Sequence, residues 1–173
     1  MPDNQNQIEI CDLVDPILAI DSEYVISANG CDNDVLCYTY CIGIGGRYVT
    51  GIIYTKSGRK KDRKKLTELI VIAIEHGLES GVLKRWPAKI SLGAHFIRAD
   101  LSTFKGGMNL FACSLMSLRK TVVSKPSASR IRGDVYDPSL VKVYDKHRHP
   151  HEIKINFYDS MLFAPAGKGL ADI

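Results

Sequence analysis

Two carboxylates, Asp21 and Glu23, stand two residues apart directly after the apolar run Ile17-Leu18-Ala19-Ile20. In an extended strand, residues i and i+2 leave the same face, so this spacing sets the two acids side by side. Neighbouring carboxylates repel one another and are costly to desolvate unless a cation neutralises them. Mg²⁺ or Mn²⁺ suits such a pair, because both ions take oxygen ligands and bridge phosphate oxygens. A third acid, Asp100, lies just past a strand predicted to pair beside the first, at the carboxyl end where α/β sheets place their sites. Three carboxylates converging at strand ends are what two-metal hydrolysis of a phosphodiester needs: one ion orients and deprotonates a water and the other stabilises the leaving oxygen. Simpler roles compete with this reading. Glu23 can be the exposed end of its strand, and Asp100 can cap the helix that contains Leu101 and Phe104.

These residues need elements to hold them. Residues 1–15 are polar and are expected to form a flexible N-terminal segment up to Pro16, after which a first strand is predicted over Ile17 to Ile26. A second strand spans Val35 to Ile44, rich in aromatic and β-branched residues, and Gly45-Gly46 supplies a tight hairpin into a third, Arg47 to Thr55. Leu66, Leu69, Ile70, Ala73, Ile74 and Gly77 recur at helical spacing, predicting a helix from about Asp62 to Gly77 with Asp62 as its cap. The strand Lys89 to Ala94 leads into a second helix beginning within His95 to Phe104. Residues 118–137, rich in Ser, Arg and Lys, are expected to form an exposed strand-and-loop insertion. Leu140 to Tyr144 and Ile153 to Tyr158 then alternate as an antiparallel pair around a His-rich turn. The order β-β-β-α-β-α with a β-rich insertion predicts an α/β architecture, a mixed sheet with helices on its faces in one domain over 16–173. The chain stops where a further helix is starting, so a fragment truncated before its last helix is expected.

Composition narrows the class. Hydrophobic residues make up 45% and charged residues 24% of 173 residues, which excludes disordered, collagen-like and coiled-coil chains. No apolar run approaches the ~18 residues of a membrane span, and the N-terminus has neither the basic region nor the apolar core of a secretion signal. A cytoplasmic protein without membrane contact is expected. The net charge of +4 permits contact with a polyanion without demonstrating it. The five cysteines contain no C-x-x-C pair and are expected to be reduced structural thiols.

Three segments together resemble a known family. Ala19-Ile20-Asp21-Ser22-Glu23, Ala94-His95-Phe96-Ile97-Arg98-Ala99-Asp100-Leu101, and Ile155-Asn156-Phe157-Tyr158-Asp159-Ser160-Met161-Leu162-Phe163-Ala164-Pro165 look like the 3′-to-5′ proofreading exonuclease domain of family B DNA polymerases, most similar to protein-primed types of phages, linear plasmids and related mobile elements. The resemblance implies a ribonuclease H-like (DnaQ-like) exonuclease fold in which Asp21, Glu23 and Asp100 are the catalytic, metal-binding acids for two Mg²⁺ or Mn²⁺ ions. It implies single-stranded primer DNA as partner, a downstream polymerase domain in the same chain, a structural role for Asp159, and a place for His95 near the DNA 3′ end. A lone His is equally a satisfied hydrogen-bonding group at a strand end. The sequence departs from the family at two points. Phe96 occupies a position that often carries Asn, so a polar contact to the DNA is expected to be either missing or replaced by stacking on a base. The third family motif, Tyr-x-x-x-Asp, is expected beyond residue 173, and without it the chain should be weakly active or inactive. Two alternatives stay open: a nucleic-acid-binding module with vestigial acids, and a free-standing exonuclease.

Between Lys56 and Lys65 lie seven basic residues, of which Lys60, Lys61 and Lys64 are candidates for phosphate contact. Such a run is also a common solvated loop, and Arg119, Lys120, Lys125, Arg130 and Arg132 are read the same way. His147, His149 and His151 alternate, but Pro150 interrupts them and a functional metal there is not expected. Gly43-Ile44-Gly45-Gly46 lacks the spacing of a dinucleotide loop, and Trp86-Pro87 reads as packing at a helix-to-strand connection.

Overall fold

The computed structural model describes residues 14–26, 33–95, 97–106 and 140–159. Within them the chain runs β1 (Ile17–Ile26), β2 (Asn33–Ile44), β3 (Arg47–Tyr54), a 3-10 turn (Lys60–Asp62), α1 (Leu66–Glu79), β4 (Lys89–Ala94), α2 (Ile97–Thr103), β5 (Leu140–Tyr144) and β6 (Pro150–Asp159). The six strands form one sheet in the order β3-β2-β1-β4-β6-β5. Strands β1, β4 and β6 are parallel neighbours, whereas β1–β2, β2–β3 and β5–β6 are antiparallel. The architecture is mixed α/β, with the sheet as its dominant layer. The predicted insertion, the N-terminal segment before residue 14 and the chain beyond 159 lie outside the described residues, as do Cys11, Cys31 and Cys113.

Strand alternation determines where the core sits. Leu18 and Ile20 of β1, Tyr38, Tyr40 and Ile42 of β2, Ile90 and Leu92 of β4, and Ile153, Ile155 and Phe157 of β6 are all buried and share one face. Both described helices cover that face. Helix α1 buries Leu66, Leu69, Ile70, Ala73, Ile74 and Gly77, and Phe104, just after α2, stacks on Tyr38 with ring centroids 4.4 Å apart. At 25 cal/mol per Å², each of these large side chains contributes roughly 1.5–3 kcal/mol when fully buried. Gly45 and Gly46 have φ of 57° and 79°, the left-handed pair that a two-residue hairpin requires.

The helix expected from Asp62 begins instead at Leu66, with Lys65 as its flanking residue. Asp62 does not cap it, for its carboxylate accepts the Ser57 hydroxyl. Arg63 is extended (φ −62°, ψ 143°) because its guanidinium reaches sideways to the carbonyls of Asn33 and Ser102. Tertiary bonds therefore interrupt what helical spacing alone would have continued. Among the described residues, no helix is long and apolar enough to cross a membrane. Cys37 and Cys41 are free thiols, as expected.

Candidate functional site

The three acids sit around the point where β1 outruns β4. Pairing between these strands covers Ile17–Ala19 against Ser91–Gly93, so β1 continues past the end of its parallel neighbour. The chain leaving β4 turns through His95 into α2, which lies against β1 and β4. Asp21 and Glu23 are exposed and share the face of β1 opposite the core, as their spacing predicts. Ser22, between them, points inward and is buried. A β-bulge between Glu23 and Tyr24 shifts the register with β2, a device that re-aims a strand end.

Asp100 reaches this point from the other side. It occupies the fourth position of α2 and is 5% exposed. The Ser22 hydroxyl donates to its Oδ1 at 2.7 Å. Its carboxyl therefore faces the sheet rather than capping the helix. Burial pushes the Asp100 pKa up to about 6; the Ser22 hydrogen bond opposes that rise, and the charge of Asp21, together with a hydrogen bond to it, reinforces it. Asp100 is thus held by Ser22 and lies near enough to Asp21 for the two carboxyls to interact. The three acids are not gathered equally, since among the described residues no group of three or more His, Cys, Asp or Glu side chains is placed to hold a metal ion. Glu23 lies next along the same strand face, outside the Asp21–Asp100 pair.

Ser22 was not among the sequence candidates. Its signal was its position, an inward-facing polar residue between two outward acids on a strand whose other inward residues are apolar.

The end of α2 is fastened by side chains from the basic segment and from β2. Tyr38 donates its hydroxyl to the Thr103 carbonyl at 2.8 Å, and Arg63 Nη1 donates to the Ser102 carbonyl at 3.2 Å. The Lys105 amide donates to the Lys64 carbonyl at 2.8 Å. This lays residues 60–65 beside α2, with Lys60 and Lys61 exposed and Lys64 half-buried. His95 is half-buried in the turn that precedes α2. Phe96 lies outside the described residues. Asp159 pairs in register with Ala94 at the end of β6, on the core face and half-buried.

The donor set is chemically suited to a hard divalent cation. Its members are carboxylate oxygens, and the closeness of Asp21 to Asp100 sets like charges together.

The histidine-rich turn is built for structure. Asp145 accepts the amides of His147 and His149, each at 2.8 Å, and lies 3.2 Å from His149 Nδ1 and 3.3 Å from His151 Nε2. Partial burial opposes ionisation of Asp145, but the bonds from His149, His151 and His147 hold its carboxyl well below the usual range. Lys146 ties the same turn to Glu75 and Glu79 of α1.

No family model matches the chain, and no solved structure matches it. Among curated proteins, the primer-independent DNA polymerase PolB of Escherichia coli is 32% identical over 161 residues, which is 90% of this chain and 19% of that polymerase. The chain spans about one fifth of the length of that relative. Over nine tenths of its length, then, this chain is similar in sequence to part of a DNA polymerase.

Proposed function

We propose that the chain is a 3′-to-5′ exonuclease domain of ribonuclease H-like fold within a polymerase-related protein, hydrolysing the terminal phosphodiester of a single-stranded primer end. The observation that carries the reading is the meeting of Asp21 and Asp100 at the end of the β1–β4 pair, in a chain similar to a DNA polymerase. Asp21 and Asp100 would hold Mg²⁺ or Mn²⁺, with Glu23 joining from the same strand face. Bound there, two such ions would activate a water and stabilise the leaving oxygen. Ser22 keeps the Asp100 carboxyl oriented toward Asp21. His95, in the turn before α2, would lie where a DNA 3′ end enters, Phe96 would stack on a base, and Lys60, Lys61 and Lys64 would neutralise the phosphates.

A second reading has one observation in its favour: among the described residues, no three His, Cys, Asp or Glu side chains are placed to hold a metal ion. On that reading the acids are idle and the chain binds nucleic acid through its basic segment. Titration of Mn²⁺ into the chain by calorimetry, beside hydrolysis of a 3′-labelled single strand, separates the two. The exonuclease reading expects Mn²⁺ binding that Asp21→Ala weakens at least tenfold and end-trimming that a chelator abolishes. DNA binding that persists in chelator, with no Mn²⁺ heat, would establish the binding module instead.

A further inference from the structure

At the opposite end of β1 and β4 from the acids lies a cavity of about 430 Å³. Its lining includes Arg47, Lys84, Arg85, Lys89 and Trp86. Four basic residues from three separate places line it: Arg47 opens β3, Lys84 and Arg85 belong to the connection after α1, and Lys89 opens β4. Asp15 also lines the cavity, paired to Lys89 at 2.5 Å. Basic residues gathered around a concavity raise its positive potential and attract an anion. The apolar wall comes from Ile44, Val82, Leu83 and Pro87.

Trp86 gives this anion site a second recognition element. One face of its indole is covered by His151, with ring centroids 4.1 Å apart and planes 9° from parallel. His151 is itself held by Asp145, and the turn carrying Asp145 is tied to α1 through Lys146. The indole is therefore a braced plate that also lines a basic cavity. Exposed arginines combined with a fixed aromatic ring are what single-stranded nucleic acid needs, phosphates on the cations and a base on the ring.

We infer that this cavity is a second binding site, for a single-stranded nucleic acid segment, distinct from the carboxylate pair. Five to six strand residues separate the two ends, roughly 16–20 Å along β1 or β4. A strand held here would be gripped away from the acids, and the inference stands whether or not those acids hydrolyse anything.

The chain contains one tryptophan, so its fluorescence reports this cavity alone. The experiment titrates the whole chain, in chelator, with an oligodeoxythymidylate of about eight nucleotides, and with inorganic phosphate as comparison. Saturable quenching by the oligonucleotide is expected, with phosphate at least about tenfold weaker per site. Arg47→Gln with Arg85→Gln, both at exposed positions, should weaken binding at least tenfold. The same pair should flatten the log–log salt slope by about 1.4, two phosphates at ~0.7 each for a single strand. Asp21→Ala should leave both unchanged, which separates this site from the proposed exonuclease chemistry. Binding of a labelled oligonucleotide to Trp86→Leu, followed by anisotropy, should also weaken about tenfold. Oligonucleotide binding that the arginine pair does not alter, or quenching by phosphate as tight as by oligonucleotide, would overturn the assignment.

Discussion

At the scale of single residues, the most informative group is Asp100. A buried carboxyl facing both a hydroxyl and another acid is stabilised in its neutral form, so its pKa rises in the folded state from 3.8 to about 6. A carboxyl with a raised folded pKa leaves stability intact below its unfolded pKa and removes it as the pH climbs through the folded value. The chain should therefore lose stability between about pH 4 and pH 6. Asp100→Asn keeps an acceptor for the Ser22 hydroxyl and removes the charge. It is expected to be more stable than the parent by about 1–2 kcal/mol at pH 7, allowing for the solvent that still reaches the site, and equal to it at pH 3.5. Urea denaturation at several pH values checks this. A parent whose stability is flat across that window would show that the carboxyl is not buried as described. Asp21 and Glu23 are legible from their spacing alone, because strand geometry dictates that i and i+2 share a face. Ser22 is not legible in the same way, since its importance depends on a residue 78 positions away.

At the scale of elements, the clamp on α2 decides where Asp100 stands. Helix α2 has seven residues, too few to be stable by propensity, and so it depends on what holds it. Tyr38 and Arg63 grip the carbonyls at its end, while Arg63 also reaches the Asn33 carbonyl at the start of β2. Among the described residues, Arg63 Nε is the one buried side-chain nitrogen or oxygen without a partner, the cost of drawing a guanidinium into this seam. Arg63→Ala is expected to cost about 2 kcal/mol, since it frees two carbonyls at once. Arg63→Lys should recover little, because an ammonium cannot reproduce the planar fork. Chemical denaturation of both variants tests the point, and full rescue by Lys would assign the effect to charge rather than to geometry. The hairpin, β4 and the β5–β6 pair are visible in the sequence because alternation and paired glycines encode them locally. The start of α1 is not, because Arg63 is pulled into extended backbone by carbonyls that no local pattern reveals.

At the scale of the molecule, the parallel trio β1, β4 and β6 is the centre of the sheet, each strand paired on both sides where the ladders overlap. Amides of Leu18, Ile90, Leu92 and Ile155 should therefore exchange most slowly, and those of the edge strands β3 and β5 orders of magnitude faster. Hydrogen exchange read by NMR checks the order, and fast exchange in β4 would contradict the topology. The sequence by itself determined the mixed α/β class, most strand positions and the shared face of Asp21 and Glu23, all of which follow from periods of two or 3.6 residues. Only the tertiary structure decided that β1 outruns β4, that Ser22 holds Asp100 near Asp21, and that four basic residues and Trp86 line one cavity. The physical reason is that periodicity specifies which face a side chain leaves, whereas the meeting of faces depends on strand order, register and the point at which each strand ends.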